Sequence, residues 1–279
     1  MDTHKPTIEF NALYRTATKV TLITCCVLRA AFRVLRAVCR VLRSPGDCYR
    51  RTQNAEHSTK QHAERLTRIF WLMARTLRDY PQISLKPENL DGKIDFVRLF
   101  GRAGPLHIEI GSGKGTFLVS EAKSKPDDNF LGIEWAGRYY RYAVDRAGRW
   151  GLTNVRIIRT DAAVFLAEHV ADESVDCFHV YFPDPWHKRR HNKRRLICPA
   201  NIKNFIRCLK TGGQIKIATD HADYFEWIKS VIAGESKQLR EIDFIRPAGA
   251  EEGELTGTNF ERKYIKDQRP IYTIAVRKR

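Results

Sequence analysis

The sequence predicts an α/β protein, a doubly wound Rossmann-like fold in which a mostly parallel sheet is covered by helices on both faces. Three observations predict it. From Leu106 onward, short apolar runs alternate with segments of helical period, five times in succession, which is the pattern of a parallel sheet with crossover helices. A glycine-rich stretch, Gly111-Ser112-Gly113-Lys114-Gly115, follows the first run directly, where such sheets bring backbone close to a ligand. The last two apolar runs are joined without a crossover helix and should pair antiparallel at one edge.

The elements follow in order. A helical stretch after Asp91, KIDFVRLFGRAG, leads to Gly104-Pro105. Leu106–Ile110 is the first strand and Thr116–Lys125 the helix after it. Phe130–Glu134 is the second strand, with Tyr139–Trp150 helical. Val155–Thr160 is the third, with Ala162–His169 helical. Val175–Phe182 is the fourth and stops at Pro183, because proline cannot donate to a central ladder. The following helix, Arg195–Leu209, ends at Gly212-Gly213. Gln214–Thr219 is the fifth strand, followed by the helix Tyr224–Ile232. Ile242–Arg246 and Ile271–Val276 complete seven strands, the last antiparallel, with a Gly- and Glu-rich loop between them rather than a helix.

Residues 1–72 differ in style. They hold 13 Lys/Arg against 5 Asp/Glu, a net of +8 out of the +17 of the whole chain. Arginines 29, 33, 36, 40 and 43 fall on one helical face, with Val, Leu, Ala and Cys on the other, a basic amphipathic helix suited to a membrane surface or an acidic partner. Met73 is the only methionine after Met1 and opens MARTLRDYP, where the domain begins. Two readings of the segment stay open, an accessory or mis-assigned extension and a functional anchor, ahead of a domain over 73–279. No apolar run reaches the roughly 18 residues that a membrane-spanning helix requires, and no signal-peptide cleavage pattern follows Val20–Leu28. The seven cysteines carry no C-x-x-C and no zinc spacing, which suits reduced thiols in the cytoplasm. A charge of +17 implies a polyanionic partner.

Ligands of open parallel sheets bind beyond the carboxyl ends of the strands, and there this chain places acids. Glu109 stands in the first strand, Glu134 ends the second, and Asp161, Asp184 and Asp220 follow the third, fourth and fifth. Crowded acids repel one another, so a cationic or donor-rich ligand across the edge explains them. The glycine loop is not G-x-G-x-x-G, since Thr116 takes the third position, and it is not a P-loop, since Gly115 follows Lys114 where Ser or Thr is required. What remains lets Gly111 and Gly113 bring backbone near a small ligand while Glu109 accepts hydrogen bonds. Glu134 suits ribose hydroxyls and Asp161 an exocyclic amine. S-adenosyl-L-methionine has an ammonium, a ribose, an adenine and a cationic sulfur. The failed spacing counts against a nicotinamide-dependent dehydrogenase.

The densest feature is FPDPWHKRRHNKRRL, Phe182 to Leu196. Asp184 sits between two prolines, which restrict its backbone before any ligand arrives. Six Lys or Arg then fall within the eight positions from Lys188 to Arg195. A rigid carboxylate beside a basic run points to chemistry on a polyanion. Trp186 is equally suited to stacking on a base and to packing in the domain. His187 and His191 lie four apart, but no third ligand is apparent, and no metal is expected.

The ordered motifs EIGSGKG, GIE (Gly132–Glu134), TDA (Thr160–Ala162), FPDPWHKRRHNKRRL, TD (Thr219-Asp220) and TNFE (Thr258–Glu261) resemble those of the bacterial tRNA (guanine-N7-)-methyltransferases. The resemblance runs from about Arg78 to the C-terminus. It implies the seven-stranded S-adenosylmethionine-dependent methyltransferase fold and methyl transfer to N7 of guanosine 46 in the tRNA variable loop. It implies that Glu109, Gly111, Gly113, Glu134, Asp161 and Asp184 surround the cofactor and that Asp184 is catalytic. It implies that Lys188, Asp220, Thr258, Asn259, Phe260 and Glu261 bind the target nucleotide, with Arg190, Lys193, Arg194 and Arg195 against the tRNA backbone. His187, Trp135 and Asn259 depart from the usual family residues, and none removes a carboxylate. A monomer acting on tRNA is expected. The competing reading is a non-catalytic RNA-binding or membrane-surface module on the same fold.

Overall fold

The computed structural model describes residues 77–279, apart from the side chain of Arg189. The basic N-terminal helix and the boundary at residue 72 lie outside the described residues. Eight strands form one sheet: β1 (Ser84–Leu85), β2 (Leu106–Ile110), β3 (Asn129–Ile133), β4 (Val155–Ile158), β5 (Val175–Tyr181), β6 (Leu209–Thr219), β7 (Leu239–Ile242) and β8 (Tyr272–Lys278). The helices are α1 (Phe96–Phe100), α2 (Thr116–Ser124), α3 (Gly137–Arg149), α4 (Ala162–His169), α5 (Pro199–Cys208), α6 (Ala222–Ala233) and α7 (Asn259–Lys266). Short 3-10 turns cover Pro87–Asn89 and Arg189–Arg194.

The strand order is β1-β4-β3-β2-β5-β6-β8-β7. All pairs from β1 to β6 are parallel, and β8 runs antiparallel to both β6 and β7. The chain moves outward from β2 through β3 to β4 and then returns to lay β5 on the other side of β2. The order therefore reverses between β2 and β5, and the crevice beyond their carboxyl ends is where ligands of open α/β sheets bind. In register, Glu109 lies beside His179 and Ile110 beside Val180.

Every residue of β2 and β3 is buried, as expected of central strands covered on both faces. One face packs Ile108, Leu131, Phe178, Phe205, Ile217 and Tyr224 into the larger core. The other packs Phe130, Val155 and Ile157 against Leu118, Ala143 and Val144 from α2 and α3.

Five details differ from the sequence expectation. A two-residue strand, β1, is added at the outer edge beside β4. The helix expected from Arg195 starts at Pro199, and Cys198 before it is extended (φ −146°, ψ 164°), because a residue preceding proline is driven out of the α region. Strand β6 begins at Leu209 and runs through Gly212-Gly213, with the register shifting between Val175 and Cys177. The β7 strand lies at Leu239–Ile242, ahead of the expected 242–246. The loop expected to lack a helix contains α7, whose N-cap Thr258 accepts from the Glu261 amide.

Candidate active site

The cofactor half of the site grows from β2. Its Glu109 is 4 % exposed, and Oε2 has no hydrogen-bond partner. Burial and the neighbouring Glu134 push its carboxyl up to about 8, against the Leu118 amide, which works the other way. The Ser112 hydroxyl is likewise buried without a partner. A carboxylate left unpaired in the interior costs several kcal/mol by the general trend, so a group that neutralises it is favoured there. Gly111 and Gly113 both take left-handed backbone (φ 79° and 54°), and the space a Cβ would occupy at either is clear of side chains. The loop thus keeps its backbone open beside an unsatisfied acid.

Glu134, at the end of β3, accepts from the Gly113 amide at 2.7 Å through Oε2 and from the Ala136 amide at 2.8 Å through Oε1. It sets the glycine loop and the entry to α3, and each oxygen retains a lone pair for a further donor. Asp161 caps α4, its Oδ1 accepting from Ala163 and Val164 amides at 2.9 and 3.1 Å. The side chain is exposed, and its second oxygen is not used in the cap.

The other half grows from β5. Phe182 and Trp186 both adopt positive φ (54° and 49°), a conformation unfavourable for side-chain-bearing residues that persists only when the surroundings impose it. The surroundings are specific. The Phe182 amide donates to Ala218 O at 2.7 Å. Arg195, 7 % exposed, donates from Nε to Pro185 O at 2.9 Å. Its guanidinium lies over the Tyr224 ring at 4.8 Å and near the Trp227 ring at 5.7 Å. Asp184, in the middle of this turn, is exposed. Arg195 therefore differs from the remainder of the basic run: it clamps the Asp184 turn onto α6. Lys188, Arg190, Lys193 and Arg194 face solvent. Arg194 covers the Trp186 ring at 5.2 Å, and His191 meets the same ring edge-on at 5.9 Å.

The C-terminal segment closes the site. Asp220, just past β6, pairs with Arg269 at 2.9 Å. Thr258 caps α7 through its hydroxyl, 3.1 Å from the Glu261 amide. Glu261 is fully buried, and its carboxylate accepts from the Leu255, Thr256 and Gly257 amides and the Thr256 hydroxyl. These donors place Glu261 inside the loop as its organiser. Asn259 Nδ2 donates to Thr116 Oγ1 at 2.7 Å, joining this segment to the helix that follows the glycine loop. Gly249 reinforces the join: its amide donates to Glu121 at 2.8 Å, and a Cβ there would stand 2.6 Å from the Ser120 carbonyl carbon. Phe260 is exposed and forms an aromatic row with Phe182 and Tyr264, at 6.3 and 6.1 Å, while Phe182 and Tyr264 lie 5.3 Å apart. Burial, Asp220 and Asp184 all raise the Tyr264 hydroxyl, against Arg269. Tyr264 thus belongs with both carboxylates, and sequence reasoning missed it. The four-residue step from Phe260 to Tyr264 would have shown it once α7 was recognised.

His187 and His191 engage different neighbours, His191 meeting Trp186 edge-on. His187 Nδ1 accepts from His221 Nε2 at 2.9 Å, since His221 Nδ1 already caps Tyr224. Among the described residues, His107, Cys177 and His179 form a group with metal-ligand atoms. Its imidazoles are engaged with one another at 3.0 Å, with Asp128 at 3.1 Å and with Tyr181 at 2.9 Å.

A glycine loop opening onto a buried, unpaired acid at the switch point of such a sheet defines a Rossmann-like methyltransferase that uses S-adenosylmethionine. The comparisons agree. Residues 103–274 match the family model described as "Putative methyltransferase". A tRNA (guanine-N(7)-)-methyltransferase of Rhodopirellula baltica is 39 % identical over 203 residues, 69 % of this chain and 73 % of that one. One from Streptococcus thermophilus is 33 % identical over 199 residues, 71 % of this chain and 92 % of that one. The chain belongs to the bacterial tRNA (guanine-N7-)-methyltransferase family. The solved 16S rRNA methyltransferase KamB, 14 % identical, superposes with a TM-score of 0.50 over 70 % of this chain and 97 % of its own, which shows the fold. No helix among the described residues is long and apolar enough to cross a membrane.

Proposed function

We propose that this enzyme methylates N7 of guanosine 46 in the variable loop of tRNA. The observation that carries the reading is the setting of Asp184: an exposed carboxylate on a clamped turn that, like Asp220, acts on Tyr264 of the aromatic row Phe182, Tyr264 and Phe260. That combination offers a flat surface for a purine and acceptors for the N1–H and amino donors of guanine.

S-adenosylmethionine supplies an activated methyl group. Glu109 and Glu134, with Asp161 beyond them, would hold the donor side and meet its positive charge and hydroxyls. Guanine N7 has a lone pair and no proton, so the chain need not supply a general base. Its task is to align N7 with the methyl carbon, which is catalysis by positioning. Positive charge moves onto the purine during transfer, and the fixed Asp184 carboxylate stabilises it there. Asp220, oriented by Arg269, and the Thr258–Glu261 segment shape the pocket for the base, with Glu261 acting through the loop it folds. The base must leave its stack to reach this surface. Lys188, Arg190, Lys193 and Arg194 meet phosphates, which makes binding steeply salt-dependent. Arg195 supports the turn from beneath. The same reading makes the enzyme cytoplasmic and monomeric.

The test is incubation of the full-length chain with unmodified tRNA and methyl-labelled S-adenosylmethionine, followed by chain scission at N7-methylguanosine. One cut in the variable loop is expected. A cut elsewhere would refute the position, and tRNA binding without label transfer would favour the non-catalytic module.

A further inference from the structure

Helix α2 is shared by the two halves of the site. It starts directly from the glycine loop at Gly115, whose backbone is left-handed (φ 69°). Further along, it holds the C-terminal segment at two separate points. At the first point both backbone groups of Gly249 are taken. Ser120 Oγ donates to Gly249 O at 2.6 Å, and the Gly249 amide donates to the fully buried Glu121 at 2.8 Å. At the second, Asn259 Nδ2 donates to Thr116 Oγ1 at 2.7 Å. Thr116 and Ser120 lie one turn apart on the same helix face. Between the two points the segment is cross-linked to itself. Glu261 takes the amides of residues 255–257, Arg262 pairs with Glu251 at 3.0 Å and with Glu254, and the Glu251 amide donates to Glu254 at 3.0 Å. Gly257 packs so closely that a Cβ there would stand 3.0 Å from Ala250 Cα. Residues 249–262 are thus one body, and its two contacts with α2 set how it sits relative to the glycine loop.

We propose that Thr116 and Ser120 are positioning residues for methyl transfer. Through Asn259 and Gly249 they fix the nucleotide-binding segment to the helix that opens from the cofactor loop, and so set the methyl group and the base in register. Ser120 lies in mid-helix, where Ala is the better helix former, so its hydroxyl contributes through the contact rather than through the helix. The arrangement has a thermodynamic consequence. A cofactor that orders the glycine loop also orders the start of α2 and the body fastened to it, so cofactor and tRNA strengthen each other's binding. The inference rests on the reading that the Thr258–Glu261 segment receives the target base.

The test uses the full-length chain and the double variant Thr116→Val/Ser120→Ala, which removes both hydroxyls with little change of volume. Three quantities are read: S-adenosylmethionine affinity, the single-turnover methyl-transfer rate at saturation, and tRNA affinity with and without S-adenosylhomocysteine. In the unaltered chain S-adenosylhomocysteine should tighten tRNA binding at least about fivefold, the low end of usual couplings. In the double variant that factor should fall to within about twofold of unity. Its rate should fall by about 10- to 10²-fold, as misplacement by an ångström or less produces. S-adenosylmethionine affinity, and tRNA affinity without cofactor, should stay within about threefold, because the lost contacts act on alignment. Gly249→Ala reaches the same end from the other side, since its Cβ would stand 2.6 Å from the Ser120 carbonyl carbon, and it should lose rate and coupling alike. Thr116→Ser keeps both hydroxyls and should match the unaltered chain, which separates positioning from misfolding. Folded variants with unchanged rate and coupling would overturn the inference, as would a loss confined to S-adenosylmethionine affinity. If the unaltered chain bound tRNA but transferred no methyl group, the proposed function would fail, and the coupling in the two chains would still decide this inference. If it bound no tRNA, both would fall.

Discussion

Arg195 Nε donates to the carbonyl of Pro185 at 2.9 Å, one residue beyond Asp184. The hydrogen bond ties the exposed carboxylate to a buried cation stacked on Tyr224 and near Trp227. The Ile197 amide donates to Tyr224 Oη at 3.1 Å and Trp227 Nε1 to Ile197 O at 2.8 Å, so the same helix holds the C-terminal end of the basic run. Arg195→Ala should cost about 2–4 kcal/mol, from the lost bond and the cavity beneath the turn. Turnover should fall as well, because Asp184 loses its fixed position. Urea denaturation and kcat at saturating substrates check this, and tRNA affinity should change far less than in the exposed Lys193 or Arg194 variants.

Glu109 gives the enzyme a pH signature. Its carboxyl has its ordinary value near 4.5 in the unfolded chain and about 8 in the folded one. The native state therefore holds the extra proton between those limits, and this contribution to stability is lost as pH rises through about 8. The cationic cofactor favours the ionised form, so its affinity should climb by up to tenfold per pH unit below 8 and level off above. Calorimetric titration between pH 6 and 9 measures this, and Glu109→Gln should flatten the profile while weakening binding.

His179 acts in the opposite sense. Burial, the neighbouring His107 and the nearby Lys216 and Lys125 hold its imidazole well below the ordinary 6.5. The folded chain thus binds fewer protons than the unfolded one, and stability should fall as pH drops below about 6.5. The urea midpoint followed from pH 7.5 to 5 would show it, and His179→Gln should reduce the loss.

The Glu261 carboxylate receives three amides and a hydroxyl from residues 255–257. Glu261→Gln should destabilise this loop by about 1–3 kcal/mol, since a neutral amide replaces a charged acceptor and presents donors to donors. Hydrogen exchange at the Leu255, Thr256 and Gly257 amides should accelerate, and KM for tRNA should rise. A residue that only read the base would leave that exchange unchanged.

The central strands were legible because burial on both faces makes β2, β3 and β5 read as apolar runs, and the order of strands and helices follows from them. The acids at the strand ends were legible for the same reason: they stand where each run stops. Glycine misled at Gly212-Gly213, which resembles a helix stop but lies within β6 beside a register shift. Helix α7 was hidden by its Gly- and Glu-rich approach, although Thr258-x-x-Glu261 is a helix-start pattern. Arg195 could not be told from its neighbours, because Tyr224 and Trp227, which bury it, lie some 30 residues further along. Glu261 was expected against the target nucleotide, and its role inside the loop was hidden because its four donors are mostly backbone groups, which leave no mark on the sequence.

The most direct test of the account is the single-turnover methyl-transfer rate of Asp184→Asn with tRNA and S-adenosylmethionine already bound at saturation. This change keeps shape and removes charge. The rate should fall by about 10²- to 10³-fold, as loss of one fixed electrostatic contact typically produces, while tRNA affinity stays within about threefold. A rate equal to that of the unaltered chain would contradict the role of Asp184 and the reading built on it.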